Sequence, residues 1–334
     1  MDRRRFLLTS LAGVITVPPV AAARQAGKVY RIALIVSGAS PPTPVGQGLL
    51  YDRLRELGWT YERDLVVERR AYGDRMDRIP DLAAELVRTS PDVFVVEGAA
   101  DAVRVRQVTQ TIPIVTLRAG DLVEAGLAAS LARPGGNVTG MQTLQADLVD
   151  KHLGLLKEAI PRLTRSGILF EGAAVSSSGS GVFAALLRKA EAGGKALGIA
   201  IQVVTLRDAN ELERVFSALH AEQAQAVIVV RSQFLSTHLN TVADLAVKHR
   251  LPTISDGANF ARHGGLMSYG FNSRDIIRSA AEIIDKILRG AKASEIPIQQ
   301  PTTFELVLNL KTAKALGLTI PPSLLARANQ VIDL

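Results

Sequence analysis

The segment Asp77–Gly98, DRIPDLAAELVRTSPDVFVVEG, decides the fold. Its first part, 77–90, places Leu82, Leu86 and Val87 at helical spacing. Its second part, 91–98, is a short run of β-branched and apolar residues that closes at Glu97-Gly98. A helix feeding a strand with no polar alternation is the repeating unit of a parallel sheet covered on both faces.

The same alternation runs outward in both directions. Strands are expected at 29–36 (VYRIALIV), 64–71, 112–117, 166–170, 199–206, 226–230 and 251–255. Helices are expected at 46–57, 99–110, 146–161, 182–198, over DANELERVFSALHAE and over LSTHLNTVADLAVKHR. After 256 the pattern changes. An amphipathic helix at 274–292 is followed by the extended IPIQQPTTFELVLNL and a short helix, KTAKALG. Two successive runs of strand–helix units imply two similar α/β lobes with parallel sheets. With no linker rich in Gly, Ser or Pro between them, the tail must pack back onto the lobes.

Composition agrees. A chain of 334 residues exceeds what one compact core usually holds. Hydrophobic residues are 47% and charged residues 21%, which excludes wholesale disorder. Aromatics are only 4%, so the core is built from Ala, Val, Leu and Ile. There is no cysteine, which excludes disulfides and thiolate metal sites.

Residues 1–23 read as an export signal: a basic start, an apolar run from Phe6 to about Val17, and Ala21-Ala22-Ala23 at the cleavage site. The run is too short to span a bilayer, which takes about 20 residues. Arg3-Arg4-Arg5-Phe6-Leu7 fits a twin-arginine address, and an ordinary secretory signal with an extra arginine fits as well. Cleavage removes three arginines and one aspartate, lowering the net charge of +7 by two. The remaining charges are interspersed, so nucleic-acid binding is not expected. A periplasmic location is.

The chain has no G-x-S-x-G, H-E-x-x-H or G-x-x-x-x-G-K-[ST], and its five histidines show no metal-ligand spacing. No catalytic residue, metal or cofactor is therefore expected. His152, His220, His238 and His249 fall on expected helices and read as solvent-facing. Gly179-x-Gly181-x-x-Ala184 matches a dinucleotide fingerprint only weakly, because some eight residues separate it from the preceding strand.

In parallel sheets, ligands bind beyond the carboxyl ends of the strands. Those ends carry Ser37-Gly38-Ala39-Ser40, Glu97-Gly98-Ala99-Ala100, Arg118-Ala119-Gly120-Asp121, Glu171-Gly172, Arg231-Ser232-Gln233 and Ser255-Asp256-Gly257. Small residues admit a ligand to the backbone, and free N–H groups at helix starts favour an anion. The backbone at Gly98–Ala100 and Arg118 are candidates for a carboxylate, Asp121 or Asp256 for an amine. Aromatics are few here, Phe234, Phe260 and Tyr269 being the nearest.

Several blocks resemble a bacterial family: SLARPGGNVTG, LLKEAIP, GGLMSYGFN and, above all, DKILRGAKASEIPIQQPTTFELVLNLKTAKALGLTIPPSLLARA. These are similar to the substrate-binding proteins of ABC importers, of the tryptophan-binding, type I periplasmic-binding-protein kind. The resemblance runs from about Tyr30 to Ile332. It implies two Rossmann-like lobes joined by a hinge, a small-molecule ligand between them, an inner-membrane ABC permease as partner, a monomer and no catalysis. It places one lobe at 28–145 plus 274–299 and the other at 146–268 plus 305–334. Crossings are expected near 144–146, 269–273 and 300–304. Where relatives carry G-T-P-A-A, G-D-P, Asn-Pro and L-P-D-P loops, this chain has Glu97–Asp101, Arg118–Leu122, Glu171-Gly172 and Arg231–Gln233. The ligand expected is a small polar or zwitterionic solute, an amino acid or organic acid. Two rivals stand beside an importer component: a module that presents its solute to a membrane sensor, and a nucleotide-dependent enzyme.

LARPGGNVTG (131–140) admits three readings: a glycosylation sequon at Asn137, a phosphate loop, or a helix stop, turn and strand start. A phosphate loop needs a strand leading in and a helix leading out, the reverse of this order. The third reading is expected, with Arg133 ending a helix, Pro134 and Gly135 in a type II turn, and a strand from Val138.

Overall fold

The computed structural model describes residues 27–37, 48–73, 75–143, 145–172, 179–232, 235 and 237–333. The expected export signal, Ser40, Gln233, Phe234 and the crossing residue Leu144 lie outside them. The first lobe contains β1 (Tyr30–Ser37), β2 (Leu65–Gly73), β3 (Val93–Val96), β4 (Ile114–Ala119) and β5 (Val138–Gln142). They form a wholly parallel sheet in the order β2-β1-β3-β4-β5. Helices α1 (Leu49–Glu56), α2 (Ile79–Val87) and α3 (Ala99–Val108) connect its strands.

β1 shows why the run at 29–36 lacks alternation. Ile32, Leu34 and Val36 enter one core with Val93 and Val95, while Ala33 and Ile35 enter the opposite core with Phe94 and Val96. Each residue is buried because both faces are covered.

The second lobe contains α4 (Leu148–Ala159), β6 (Arg165–Glu171), α5 (Gly179–Leu197), β7 (Ala200–Leu206), α6 (Leu212–Ala221), β8 (Ala226–Val229), α7 (Leu239–Lys248), β9 (Thr253–Ser255), α8 (Ala258–Arg262) and β10 (Met267–Phe271). After β10 comes α9 (Ser273–Leu288), then β11 (Phe304–Asn309), α10 (Leu310–Ala315), α11 (Pro322–Arg327) and β12 (Gln330–Ile332). The seven strands of this sheet run β12-β11-β10-β9-β8-β6-β7.

Three features differ from the expected pattern. First, the second sheet is not wholly parallel, since β11 pairs antiparallel with β10. The chain leaves β10 for the other lobe, where Ile276, Ala280, Ile283, Ile284 and Ile287 of α9 pack with Leu54 and Trp59. It then bridges Gln299 to Met141 beside β5 and returns from that side, so β11 enters the sheet reversed. Burying each of those isoleucines contributes roughly 1.5–3 kcal/mol, which anchors α9 on the first lobe. An indole bond from Trp59 Nε1 to Asp285, 2.8 Å, fixes its rotation.

Second, no helix precedes Pro134. From Gly120 to Asn137 the chain makes turns. The Asp121 carboxylate accepts from Val123 N (2.9 Å) and Glu124 N (3.0 Å), and Gly126 has φ 68°, so local bonds and a left-handed residue replace a continuous helix. Arg133 is thus not at a helix end. Gly135 has the positive φ that a type II turn asks of it, 76°, its N–H donates to Ser294 O (3.1 Å) in place of a bond closing the turn on itself, and β5 starts at Val138 as expected. Asn137 Nδ2 donates to the carbonyls of Ile112 (2.9 Å) and Thr109 (3.2 Å), tying this turn to the start of β4.

Third, His152 is not solvent-facing. It is 3% exposed, on the inward face of α4. His249 is half-buried at the end of α7 against Glu213, and His238 precedes that helix instead of lying on it. Among the described residues, no helix is long and apolar enough to cross a membrane.

Candidate functional site

Strand order locates the crevice. In the first sheet β1 has β2 on one side and β3 on the other, so the connections depart to opposite faces beyond the ends of β1 and β3. In the second, β6 stands likewise between β7 and β8. Ser37 ends β1 and Glu97 directly follows β3, while Glu171 ends β6 and Arg231 stands two residues past β8.

At the first switch point, Glu97 Oε2 accepts from Ser37 N (2.9 Å) and from Ser37 Oγ (2.5 Å), joining the two strand ends. Gly98 is extended (φ −136°, ψ 177°) and precedes α3, whose first turn is Ala99, Ala100 and Asp101. The N–H groups of a helix's first turn have no intrahelical acceptor and carry the positive end of its dipole. Asp101 Oδ2 turns back to accept from Gly98 N (3.2 Å), and its Oδ1 accepts from the Tyr72 hydroxyl (3.3 Å).

Burial, and secondarily the charge of Glu97, pushes the Asp101 carboxyl up to about 6. Burial pushes the Tyr72 phenol up as well, with Asp101 and Glu97 acting in the same direction, so Tyr72 stays a donor.

Arg118, next to last in β4, donates its backbone N–H to Glu97 O at 2.8 Å. Burial, then the nearby charge of Arg231, pulls its guanidinium below the ordinary arginine value, and Glu97 and Asp256 oppose that shift. Arg118 and Glu97 belong to the first lobe, Arg231 and Asp256 to the second. Two cations and two anions from facing strand ends therefore share one electrostatic neighbourhood. Within the second lobe Arg231 Nε pairs with Asp256 Oδ2 at 3.3 Å. Asp256 is 7% exposed, and a Cβ on Gly270 of β10 would overlap its backbone carbonyl.

The remaining expected residues fall elsewhere or take local roles. Asp121 stands past β4 but spends one carboxylate oxygen on its turn. Glu171 ends β6, half-buried. Ser232 Oγ accepts from Leu235 N, 3.1 Å, within its own loop. Tyr269 lies within β10, its ring stacked on Phe304 at 5.7 Å and edge-on to His152. Phe260, 1% exposed, is a core residue of the second lobe and not a cleft aromatic.

Two functional-looking residues escaped the sequence reading. Asp101 stands three residues past Gly98, the position that closes a capping box. His152 sits three after Val149 and four before Leu156, on the apolar stripe of α4, and that spacing was the available sign of burial. Among the described residues, no cluster of His, Cys, Asp and Glu could hold a metal ion.

A polar groove of about 740 Å³ opens at the opposite, amino-terminal end of the first sheet, beside Lys28, Asn137 and Lys292. Its charges are already matched locally: Lys28 pairs with Asp92 at 2.6 Å and Lys292 with Glu295 at 3.7 Å. The strand carboxyl ends are the better candidate site.

Residues 31–332 match the family described as ABC transporter substrate binding protein. The chain belongs to that family. A tyrosine-binding protein of Clostridioides difficile (strain R20291) is 22% identical over 281 residues, covering 79% of this chain and 74% of the relative. A conserved domain protein from Vibrio cholerae O1 biovar El Tor superposes with a TM-score of 0.80 at 23% identity, over 91% of this chain and 100% of that one. An ABC domain from Streptococcus pneumoniae in complex with L-Trp superposes with a TM-score of 0.78 at 22% identity, over 91% and 100%. The two lobes are those of the type I periplasmic-binding-protein fold.

Proposed function

We propose that this substrate-binding protein holds an amino acid between its two lobes and presents it to an ABC permease of the inner membrane. The supporting observation is that Arg118 of one lobe lies within electrostatic reach of Arg231 and Asp256 of the other, as well as of Glu97. A zwitterion needs both signs at once. Its carboxylate would take Arg118 and the N–H groups that open α3. Its ammonium would take Asp256, with Glu97 beside it.

Ligand contacts made to both lobes would favour the closed arrangement over the open one, by no more than their differential affinity. The chain segments between the lobes would be the hinge, and the closed form the one a permease recognises. The protein would act as a monomer in the periplasm, once residues 1–23 are removed. Two relatives, a tyrosine-binding protein and an ABC domain in complex with L-Trp, favour an amino acid over a sugar. Calorimetry of the purified protein against the twenty L-amino acids, simple carboxylates and neutral sugars is the test. Binding of an amino acid is expected, and binding of neutral sugars alone would overturn the assignment.

A further inference from the structure

His152 lies on the face of α4 whose other inward residues are aliphatic. Its Nε2 is 2.7 Å from the carbonyl oxygen of Tyr269. A carbonyl only accepts, so Nε2 carries the proton and Nδ1 is a bare acceptor. Burial lowers the imidazole's affinity for a second proton, which keeps the ring neutral. Nδ1 is buried and has no hydrogen-bond partner. His152 also lines a cavity of about 10 Å³, together with Val149, Leu186, Ile228, Val229, Val230 and Asp256. That is room for about one water molecule, provided two or more polar groups face it.

We propose that this cavity is a single-water site: the water donates one hydrogen to His152 Nδ1 and the other to the Asp256 carboxylate, making His152 a positioning residue for that carboxylate. The inference rests on Asp256 being a ligand contact, as proposed above. A carboxylate accepts up to about four hydrogen bonds, so the water adds to the Arg231 pair without displacing it. Asp256 is then held from the interior by the water and from the cleft by Arg231 Nε. Its backbone is fixed in turn by the close approach of Gly270. The His152–Tyr269 bond continues the chain of contacts into β10, the strand that leads to α9 on the other lobe.

The first test is a high-resolution crystal structure of the protein. Water density about 2.7–3.2 Å from both Nδ1 and the Asp256 carboxylate is expected, and a dry cavity overturns the proposal. The second is a pair of variants titrated with each of the twenty L-amino acids, after urea melts have established that both fold. His152→Gln keeps a donor for Tyr269 O and loses the acceptor at Nδ1, while His152→Asn keeps an acceptor near Nδ1 and loses the donor. His152→Gln is expected to weaken the tightest binder about tenfold, and His152→Asn to stay within about twofold. Unchanged affinity in His152→Gln overturns the bridge. Asp256→Asn separates the two ideas. If it leaves affinity unchanged, the ligand assignment itself fails. Should it weaken binding while His152→Gln does not, only the water bridge fails.

Discussion

Asp101→Asn should make the protein more stable at neutral pH and remove a pH dependence between about 4 and 6. The wild-type carboxyl titrates at about 6 in the folded chain against an ordinary value of 3.8, chiefly because it is buried. The folded state therefore holds a proton that the unfolded chain releases. That contribution is fully present below about pH 3.8 and is lost as pH rises through about 6. About two units of separation correspond to roughly 3 kcal/mol by which the ionised carboxylate weakens the native state at pH 7. Asparagine avoids that cost and can still accept from Gly98 N. Urea unfolding of both proteins at pH 4, 5, 6 and 7.5 reads the difference directly, because acid effects elsewhere cancel. The variant should match the wild type closely at pH 4, where the wild-type carboxyl is protonated in the folded chain, and exceed it by about 3 kcal/mol at pH 7.5. A difference that is flat across the range, or a variant less stable at pH 7.5, refutes the burial argument.

Arg118→Gln should weaken amino-acid binding by about 10–100-fold with little change in melting temperature, the expected loss for a charge-assisted pair to a ligand carboxylate. Undiminished affinity by calorimetry would remove Arg118 from the site. Gly270→Ala should cost both stability and affinity, because the new methyl overlaps the Asp256 carbonyl and pushes that residue from its place. A fully stable, tightly binding variant would show that β9 and β10 can part at no cost. Gly135→Val places a β-branched residue at φ 76°, a loss of about 1–2 kcal/mol visible in thermal melts. A change in ligand affinity in the folded variant would mean that this turn is coupled to the cleft.

Much of the fold was legible because its signals are local. β1 reads correctly since every one of its apolar residues has a covered face to enter, and α9 reads correctly from its apolar stripe. The strand ends Ser37, Glu97, Arg118, Arg231 and Asp256 were nameable from the rule that parallel sheets bind at their carboxyl ends. What escaped depends on partners far away in sequence. The reversal of β11 follows from α9 being held by the other lobe. The burial of His152 depends on the carbonyl of Tyr269, 117 residues later. The turns at Gly120–Asn137 are a competition between short-range bonds of Asp121 and a helix that the leucines alone would have favoured.

A structure of the protein with an amino acid bound tests the central claim most directly. Ligand density touching Arg118 on one lobe and Asp256 or Arg231 on the other is the predicted result. Density confined to one lobe, or lying in the groove beside Lys28, Asn137 and Lys292, would contradict it.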